Sequence, residues 1–310
     1  MPLDPTTQAV LDAMNEAGLG DFAGQSPEEV RRASAERPPL PPGPDVQVEN
    51  RQVPGADGPI DARIYRPLGA DGVLPALVYA HGGGFVLGDL DGHDAVCRQL
   101  TVDVGCCVIS LDYRLAPEAK FPAAPEDCYA ATCFVHSHAA ELGIDPVRIA
   151  VGGDSAGANL STVVATLARD RGGPALAFQL LLYPGTDWRT LDTPSYRDNA
   201  QGYFLTLEGV QWFREHYLRD EADRHDPMAS PLANDNLAGL PPALVITAEC
   251  DPLRDEGDAY GRALQAAGVE TTVTRYDSTI HGFVSLYAFI AQGREALAES
   301  AGALRKAFAG

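Results

Sequence analysis

From about residue 46 onward, short apolar runs recur at intervals too long for hairpins, with helix-like segments between them. Residues 60–65, 76–80, 108–111, 148–151, 178–183, 243–248 and 271–276 are the strand candidates, and several are apolar at odd and even positions alike. A strand with two apolar faces must be covered on both sides, which is the condition of a parallel sheet. Alternation of such strands with helices gives an α/β fold, a mostly parallel sheet between two helix layers. A chain of 310 residues suits one domain of this kind with small additions.

Two stretches break the rhythm. Residues up to about 35 read as short helices, with Ser26-Pro27-Glu28-Glu29 supplying an N-cap, a proline at the first position and acidic groups in the first turn. Residues 36–44 are proline-rich, and their fixed φ angles and missing NH donors favour an extended connection. The second stretch, 187–225, is long, polar and aromatic, and reads as an insertion over the C-terminal edge of the sheet. The expected organisation is cap helices and linker at 1–45, an α/β domain at 46–186 and 227–310, and a cap insertion at 187–226. The Ala-rich segment 295–308 reads as a closing helix.

Composition removes several function classes. Asp and Glu number 43 against 23 Lys and Arg, and the resulting net charge of -20 repels phosphate backbones and anionic lipid surfaces. Nucleic acid is therefore not expected as a partner. No apolar run approaches the roughly 20 residues of a membrane span. Residues 1–20 carry Asp4, Asp12 and Glu16 and lack a basic segment followed by an apolar one, so we expect a cytoplasmic protein whose mature chain starts near Met1. The cysteines at 97, 106, 107, 128, 133 and 250 form no Cys-x-x-Cys pair and read as buried thiols rather than disulfides or metal ligands. The only lysines, Lys120 and Lys306, lie in neither a Gly-Lys-Ser/Thr nor a Ser-x-x-Lys context, which removes phosphate-binding loops and Ser–Lys acyl transfer.

Four pieces carry chemistry. Gly153-Asp154-Ser155-Ala156-Gly157 lies between the strand at 148–151 and a helical segment at 159–168, the setting of a nucleophile elbow whose serine projects above the sheet. His81-Gly82-Gly83-Gly84-Phe85 directly follows the strand at 76–80. Backbone NH groups reach a developing oxyanion only where side chains leave the approach open, so Gly83, Gly84 and Ala156 are the expected donors, with His81 structural. A serine needs a base, and in this fold the order along the chain is serine, acid, histidine. His216 and His225 fall in the insertion, whereas His281 follows the last strand and is the expected base. Asp251, just past the strand at 243–248, is the expected acid; Asp187 is the rival, and Asp255 and Glu256 read as first-turn helix caps.

Together these pieces resemble the hormone-sensitive-lipase-like family of bacterial esterases, in the branch whose elbow reads Gly-Asp-Ser-Ala-Gly; the likeness runs roughly from 60 to 285. Asp112-Tyr113-Arg114-Leu115-Ala116-Pro117-Glu118 and Phe121-Pro122-Ala123 are further family-like marks, read as structural. The resemblance implies an α/β-hydrolase fold with an eight-stranded, mostly parallel sheet and a small helical cap. It also implies a triad of Ser155, Asp251 and His281, hydrolysis of short- to medium-chain acyl esters, no cofactor and no metal, and a homodimer. Ala158 stands where many relatives have a third elbow glycine, and Phe85 where many have tryptophan. Phe85, Tyr203, Phe204, Trp212 and Phe213 are the candidate walls of the acyl site, with packing inside the cap as the alternative for the last four. Two other readings share this fold: an amidase or peptidase on acyl substrates, and a non-catalytic small-molecule binder of the kind that has lost its histidine.

Overall fold

The computed structural model describes residues 2–20, 22 and 24–310. Its strands are β1 (Gln47–Gly55), β2 (Gly58–Arg66), β3 (Leu74–Ala80), β4 (Cys107–Asp112), β5 (Ile144–Asp154), β6 (Phe178–Leu182), β7 (Ala243–Cys250) and β8 (Thr271–Ile280). They form one sheet in the order β1-β2-β4-β3-β5-β6-β7-β8; the two pairings of β2 are antiparallel and the rest parallel. Strand β1 lies ahead of every segment expected from the sequence. It sits at the sheet edge, mostly exposed, and polar side chains hide the alternation that marks a half-buried strand. Its signal was the turn, since Gly55 pairs with Gly58 across Ala56-Asp57 in a two-residue hairpin.

The central strands sort their side chains by parity. Ala76, Val78 and Ala80 of β3 join one apolar core, and Leu77 and Tyr79 join the other. Helices α4 (Ala123–Ser137), α5 (Ala156–Asp170) and α8 (Arg254–Ala266) cover the first face, while α3 (Asp94–Val104) and α9 (Ala291–Ala309) cover the second. Two-sided burial is what the continuous apolar runs demanded. The excursion between β6 and β7 carries α6 (Pro194–Asp198), α7 (Leu207–Tyr217) and two 3-10 turns, and Val210, Phe213 and Tyr217 of α7 merge with the first core.

The N-terminal segment folds back over the same end of the sheet. Helix α1 (Pro5–Glu16) is capped by Asp4 and meets the end of β8, where the Asp4 NH donates to Ser278 at 2.8 Å. Helix α2 (Pro27–Ala35) has the capping box expected of Ser26 and Glu29. Its Arg31 donates to the carbonyls of Val86 and Ala116 and pairs with Glu118 at 2.7 Å, which ties the arm to the loops after β3 and β4.

Arg114, from one of the family-like marks, works as a structural clamp. The fully buried carboxylate of Asp127 on α4 accepts from the Arg114 NH and guanidinium and from the Ala56 NH in the hairpin turn. Removing that carboxylate leaves the half-buried Arg114 guanidinium and two backbone NH groups without their acceptor. Asp127→Ala is expected to lower unfolding free energy by about 3 kcal/mol, read from urea denaturation followed by circular dichroism.

Candidate active site

Sheet register assembles the site. The C-terminal ends of β3, β5 and β6 are level, with Ala80 opposite Gly153 and Asp154 opposite Leu182. At the other side Cys250 pairs with Ile280, so the next residues in the chain, Asp251 and His281, emerge side by side. Five loops from distant parts of the sequence thus open above one edge, where ligand sites of open parallel sheets form.

Ser155 occupies the turn from β5 into α5 with φ 54° and ψ -117°, a strained backbone for a residue with a side chain. Its NH donates to the Leu182 carbonyl at 2.8 Å, and its own carbonyl accepts from the Ala158 and Asn159 NH groups at 3.1 Å each. Those bonds hold the strain. The flanking glycine is required by close approach, because a Cβ on Gly157 would overlap the Ala80 carbonyl. Ala158, the first departure from the family pattern, is fully buried in α5 and fits as a helix former.

The Oγ of Ser155 lies 2.9 Å from His281 Nε2, and His281 Nδ1 lies 2.7 Å from Asp251 Oδ2. Asp251 is fully buried, and its Oδ1 accepts from the Leu253 NH at 2.8 Å. With Asp251 accepting at Nδ1, the neutral imidazole carries its proton there and presents a lone pair to the serine hydroxyl. The rival acid is engaged elsewhere: Asp187 forms a two-pronged pair with Arg189 at 2.8 and 2.9 Å. His216 bonds the Trp212 carbonyl at 2.8 Å and packs on its indole within α7.

The glycine-rich loop faces Ser155 with its carbonyls pinned. The Gly82 carbonyl is bonded by His81 Nδ1 at 2.8 Å, and the Gly83 carbonyl accepts from the Val86 and Leu87 NH groups at 3.1 and 2.8 Å. In a trans peptide the NH points opposite to the carbonyl, so these bonds turn the Gly83 and Gly84 NH groups the other way. Among the described residues, neither NH has a protein acceptor, nor does that of Ala156 at the start of α5. Gly84 has φ 61°, and the Phe213 ring from α7 fills the space its Cβ would need. His81 is buried and stacked on Tyr113 at 4.4 Å. Burial above all, with the nearby charge of His93, lowers its pKa to about 4, and it stays neutral.

A cavity of about 280 Å³ opens beside Ser155 and His281. Phe85, Trp188, Phe204, Leu205, Phe213 and Leu253 are among its apolar walls. Of the candidate wall residues, Phe85, Phe204 and Phe213 line it, and Tyr203 and Trp212 do not. Tyr203 borders a second, outer cavity, and Trp212 stacks on Phe22 at 5.1 Å and donates to the Gln25 carbonyl, locking the N-terminal arm to α7. An aromatic cluster gives no indication in sequence of which ring turns inward. Phe85 stacks on Tyr217 at 3.8 Å.

Among the polar residues of the cavity wall, Asp154, His93 and Glu256 were not singled out from sequence as part of a site. Glu256 lies in the first turn of α8, as expected, but that turn is buried, and its carboxylate accepts from the Thr186 and Asp187 NH groups and the Tyr196 hydroxyl at 2.6, 3.2 and 3.0 Å. Burial, with the Asp187 charge, outweighs those bonds and pushes its pKa up to about 8. A Glu in the first turn of a helix looks the same in sequence whether that turn meets water or a cavity.

A family model described as alpha/beta hydrolase fold matches residues 77–285. The chain belongs to this family. The carboxylic ester hydrolase LipN of Mycobacterium tuberculosis is 47% identical over 294 residues, covering 92% of this chain and 78% of that protein. The ethyl acetate hydrolase of Pseudomonas putida is 41% identical, covering 77% of this chain and 76% of its own. Among solved structures, a hyperthermophilic esterase from the archaeon Pyrobaculum calidifontis matches with a TM-score of 0.90 at 43% identity, covering 99% of each chain. The esterases among these α/β-hydrolases agree with the resemblance drawn from the elbow and the His-Gly-Gly-Gly run. Among the described residues of this α/β-hydrolase all six cysteines are free, no cluster of three or more metal-ligating side chains occurs, and no helix is long and apolar enough to cross a membrane.

The backbone approach at the elbow generates a stability contrast. Gly157→Ala must displace the Ala80 carbonyl and is expected to cost at least about 3 kcal/mol. Gly302→Ala, on an open face of α9, is expected to stabilise by roughly 0.5–1 kcal/mol. Thermal and urea unfolding of the two variants, compared with the parent, checks both signs.

Proposed function

We propose that this α/β-hydrolase is a serine carboxylesterase that cleaves short- to medium-chain acyl esters through an acyl-enzyme. The observation that carries the reading is the unbroken run of hydrogen bonds from Asp251 through His281 to Ser155, 2.7 and 2.9 Å long, beside an apolar cavity. Ser155 Oγ attacks the ester carbonyl while His281 Nε2 takes its proton. Asp251 remains ionised, holds the imidazole in the required tautomer and stabilises the imidazolium. The carbonyl oxygen gains charge as the carbon becomes tetrahedral, and the Gly83, Gly84 and Ala156 NH groups, with the positive end of α5 behind the last, receive it. His281 then hands its proton to the departing alkoxide, and the alcohol leaves. Water repeats the sequence on the acyl-enzyme, with His281 again as base, and releases the carboxylic acid.

The cavity accounts for the acyl preference. Each methylene moved from water into apolar walls contributes about 0.8 kcal/mol, or roughly fourfold in kcat/KM, until the walls are filled. The ethyl acetate hydrolase among the relatives suits the short end of that range. The Ser155–His281 bond favours catalysis over a silent binding role, and matched ester and amide substrates separate the esterase from an amidase. In this reading Trp212, though outside the cavity, keeps the cap closed over it. With the reading go a homodimer, a cytoplasmic location, no nucleic-acid partner, and a catalytic domain at 46–186 and 227–310 capped by 1–45 and 187–226.

Ser155→Ala is expected to lose about a millionfold in kcat while keeping its unfolding midpoint, and Asp251→Asn about ten-thousandfold. p-Nitrophenyl butyrate hydrolysis measures both, and an Asp187→Asn variant that loses more than Asp251→Asn would transfer the acid's role. Across p-nitrophenyl esters from acetate to laurate, kcat/KM should rise and then fall. Phe213→Ala should move the maximum to longer chains, whereas Trp212→Ala should leave its position unchanged; a shift with Trp212→Ala counts against the cavity assigned here.

A further inference from the structure

The mechanism above gives no task to Asp154, although its carboxylate is buried beside the reacting serine. Its Oδ1 accepts from the Tyr79 hydroxyl at 2.8 Å and from the Gly82 NH at 3.0 Å. The Nε2 of His93 lies 3.3 Å from Oδ1 and 3.4 Å from Oδ2, while His93 Nδ1 faces the Asp89 carbonyl at 3.4 Å. Burial alone would favour the neutral acid. The His93 charge and bond, with the Tyr79 hydroxyl, overcome it and hold the Asp154 pKa at about 2. For His93 burial disfavours the imidazolium, but Asp154 outweighs it and raises the pKa above the ordinary histidine value. A histidine–carboxylate pair, in which Asp154 favours the protonated imidazole, therefore sits against the glycine-rich loop.

Its position matters more than its charge. The donors assigned to the oxyanion come from two pieces of chain: Gly83 and Gly84 follow β3, and Ala156 follows β5. Asp154 is the neighbour of Ser155 on one piece and bonds the Gly82 NH on the other. Other ties hold the loop within itself or to other parts of the chain, among them His81 Nδ1 to the Gly82 carbonyl, the Val86 and Leu87 NH groups to the Gly83 carbonyl, the Tyr113 hydroxyl to the His81 carbonyl at 2.8 Å and the Ala116 NH to the Phe85 carbonyl at 2.9 Å. Glycines have the widest choice of backbone conformation, so a loop containing three in a row keeps one arrangement only where it is bonded into it. Asp154 supplies a direct bond between the two donor pieces.

We propose that Asp154, held by His93 and Tyr79, is a positioning residue that locks the glycine-rich loop to the nucleophile elbow so that the Gly83, Gly84 and Ala156 NH groups converge on one point. This rests on the serine-esterase reading of the site. Such a residue acts on the tetrahedral species and leaves ground-state binding alone. Asp154→Ala is expected to lose about a hundredfold in kcat, the scale of one oxyanion donor, with KM within about threefold. Affinity for a trifluoromethyl ketone, which forms a tetrahedral adduct with the serine, should fall in parallel. Affinity for butyrate, a planar product, should not. Asp154→Asn keeps an acceptor for the Gly82 NH and should recover part of the loss, which a role in stability alone would not produce.

An Asp154→Ala enzyme with parental kcat and ketone affinity overturns the proposal, as does a loss shared equally by butyrate. Where Asp154→Ala fails to fold, Tyr79→Phe and His93→Gln each remove one support of the carboxylate, and parental kcat in both overturns it equally. Ser155→Ala runs beside them: turnover surviving in that variant sinks the esterase reading itself, whereas an inert Ser155→Ala with a fully active Asp154→Ala overturns only the role of Asp154.

Discussion

The Ala80 carbonyl, at the end of β3, runs so close to Gly153 and Gly157 that neither position has room for a Cβ. That approach is possible because β3 and β5 are adjacent, parallel and in register to their last residues. It forces β5 into a sharp turn, and Ser155 into the positive-φ backbone that lifts its side chain above the sheet. Strain of this kind costs about 1–3 kcal/mol and persists only where surrounding bonds over-determine the conformation. Here the Leu182, Ala158 and Asn159 bonds do so. The site's precision is thus borrowed from the sheet, and the loops merely deliver side chains to a position the sheet has set.

Electrostatics divides the acidic side chains into two populations. Most of the excess negative charge behind the net -20 lies on the surface, where water screens it. The buried carboxylates other than Glu256 each face a basic side chain: Asp251 faces His281, Asp154 His93, Asp127 Arg114, Asp187 Arg189, Asp223 Arg219 and Asp258 Arg275. Glu256, supplied with hydrogen-bond donors but no cation, is the one whose pKa climbs to about 8. Asp154 and Glu256 mark the two outcomes: burial loses where His93 supplies a positive partner and wins where none is present.

Sequence made the architecture legible because two-sided apolar strands leave few alternatives. Residues 76–80 and 243–248 needed no structure to be read as buried strands, whereas the polar, exposed edge strand β1 left only its hairpin turn as a trace. Ser155, Asp251 and His281, named from motif and chain order, lie within hydrogen-bond reach of one another. The cap was harder. Tyr203, Phe204, Trp212 and Phe213 are equally aromatic, and which ring faces the cavity depends on the packing of α7 against Phe22 and Gly84, both far from it in the chain. The same blindness hid Glu256, whose helix turn faces inward.

Asp251 and Asp187 show how little separates a site residue from its neighbour. Both follow a strand, β7 and β6 respectively, and both lie at the end of the sheet where His281 emerges. What separates them is register and competition. Cys250 pairs with Ile280, so the next residue on each strand meets its counterpart, and Asp251 finds an imidazole. Asp187 lies beyond β6, one strand further from β8, and two residues on it meets its own Arg189, whose planar guanidinium takes both carboxylate oxygens. A carboxylate committed to a two-pronged arginine has little to offer a histidine. Chain order narrows the acid to a few candidates, and the choice among them is made by strand pairing and by which cations lie within reach.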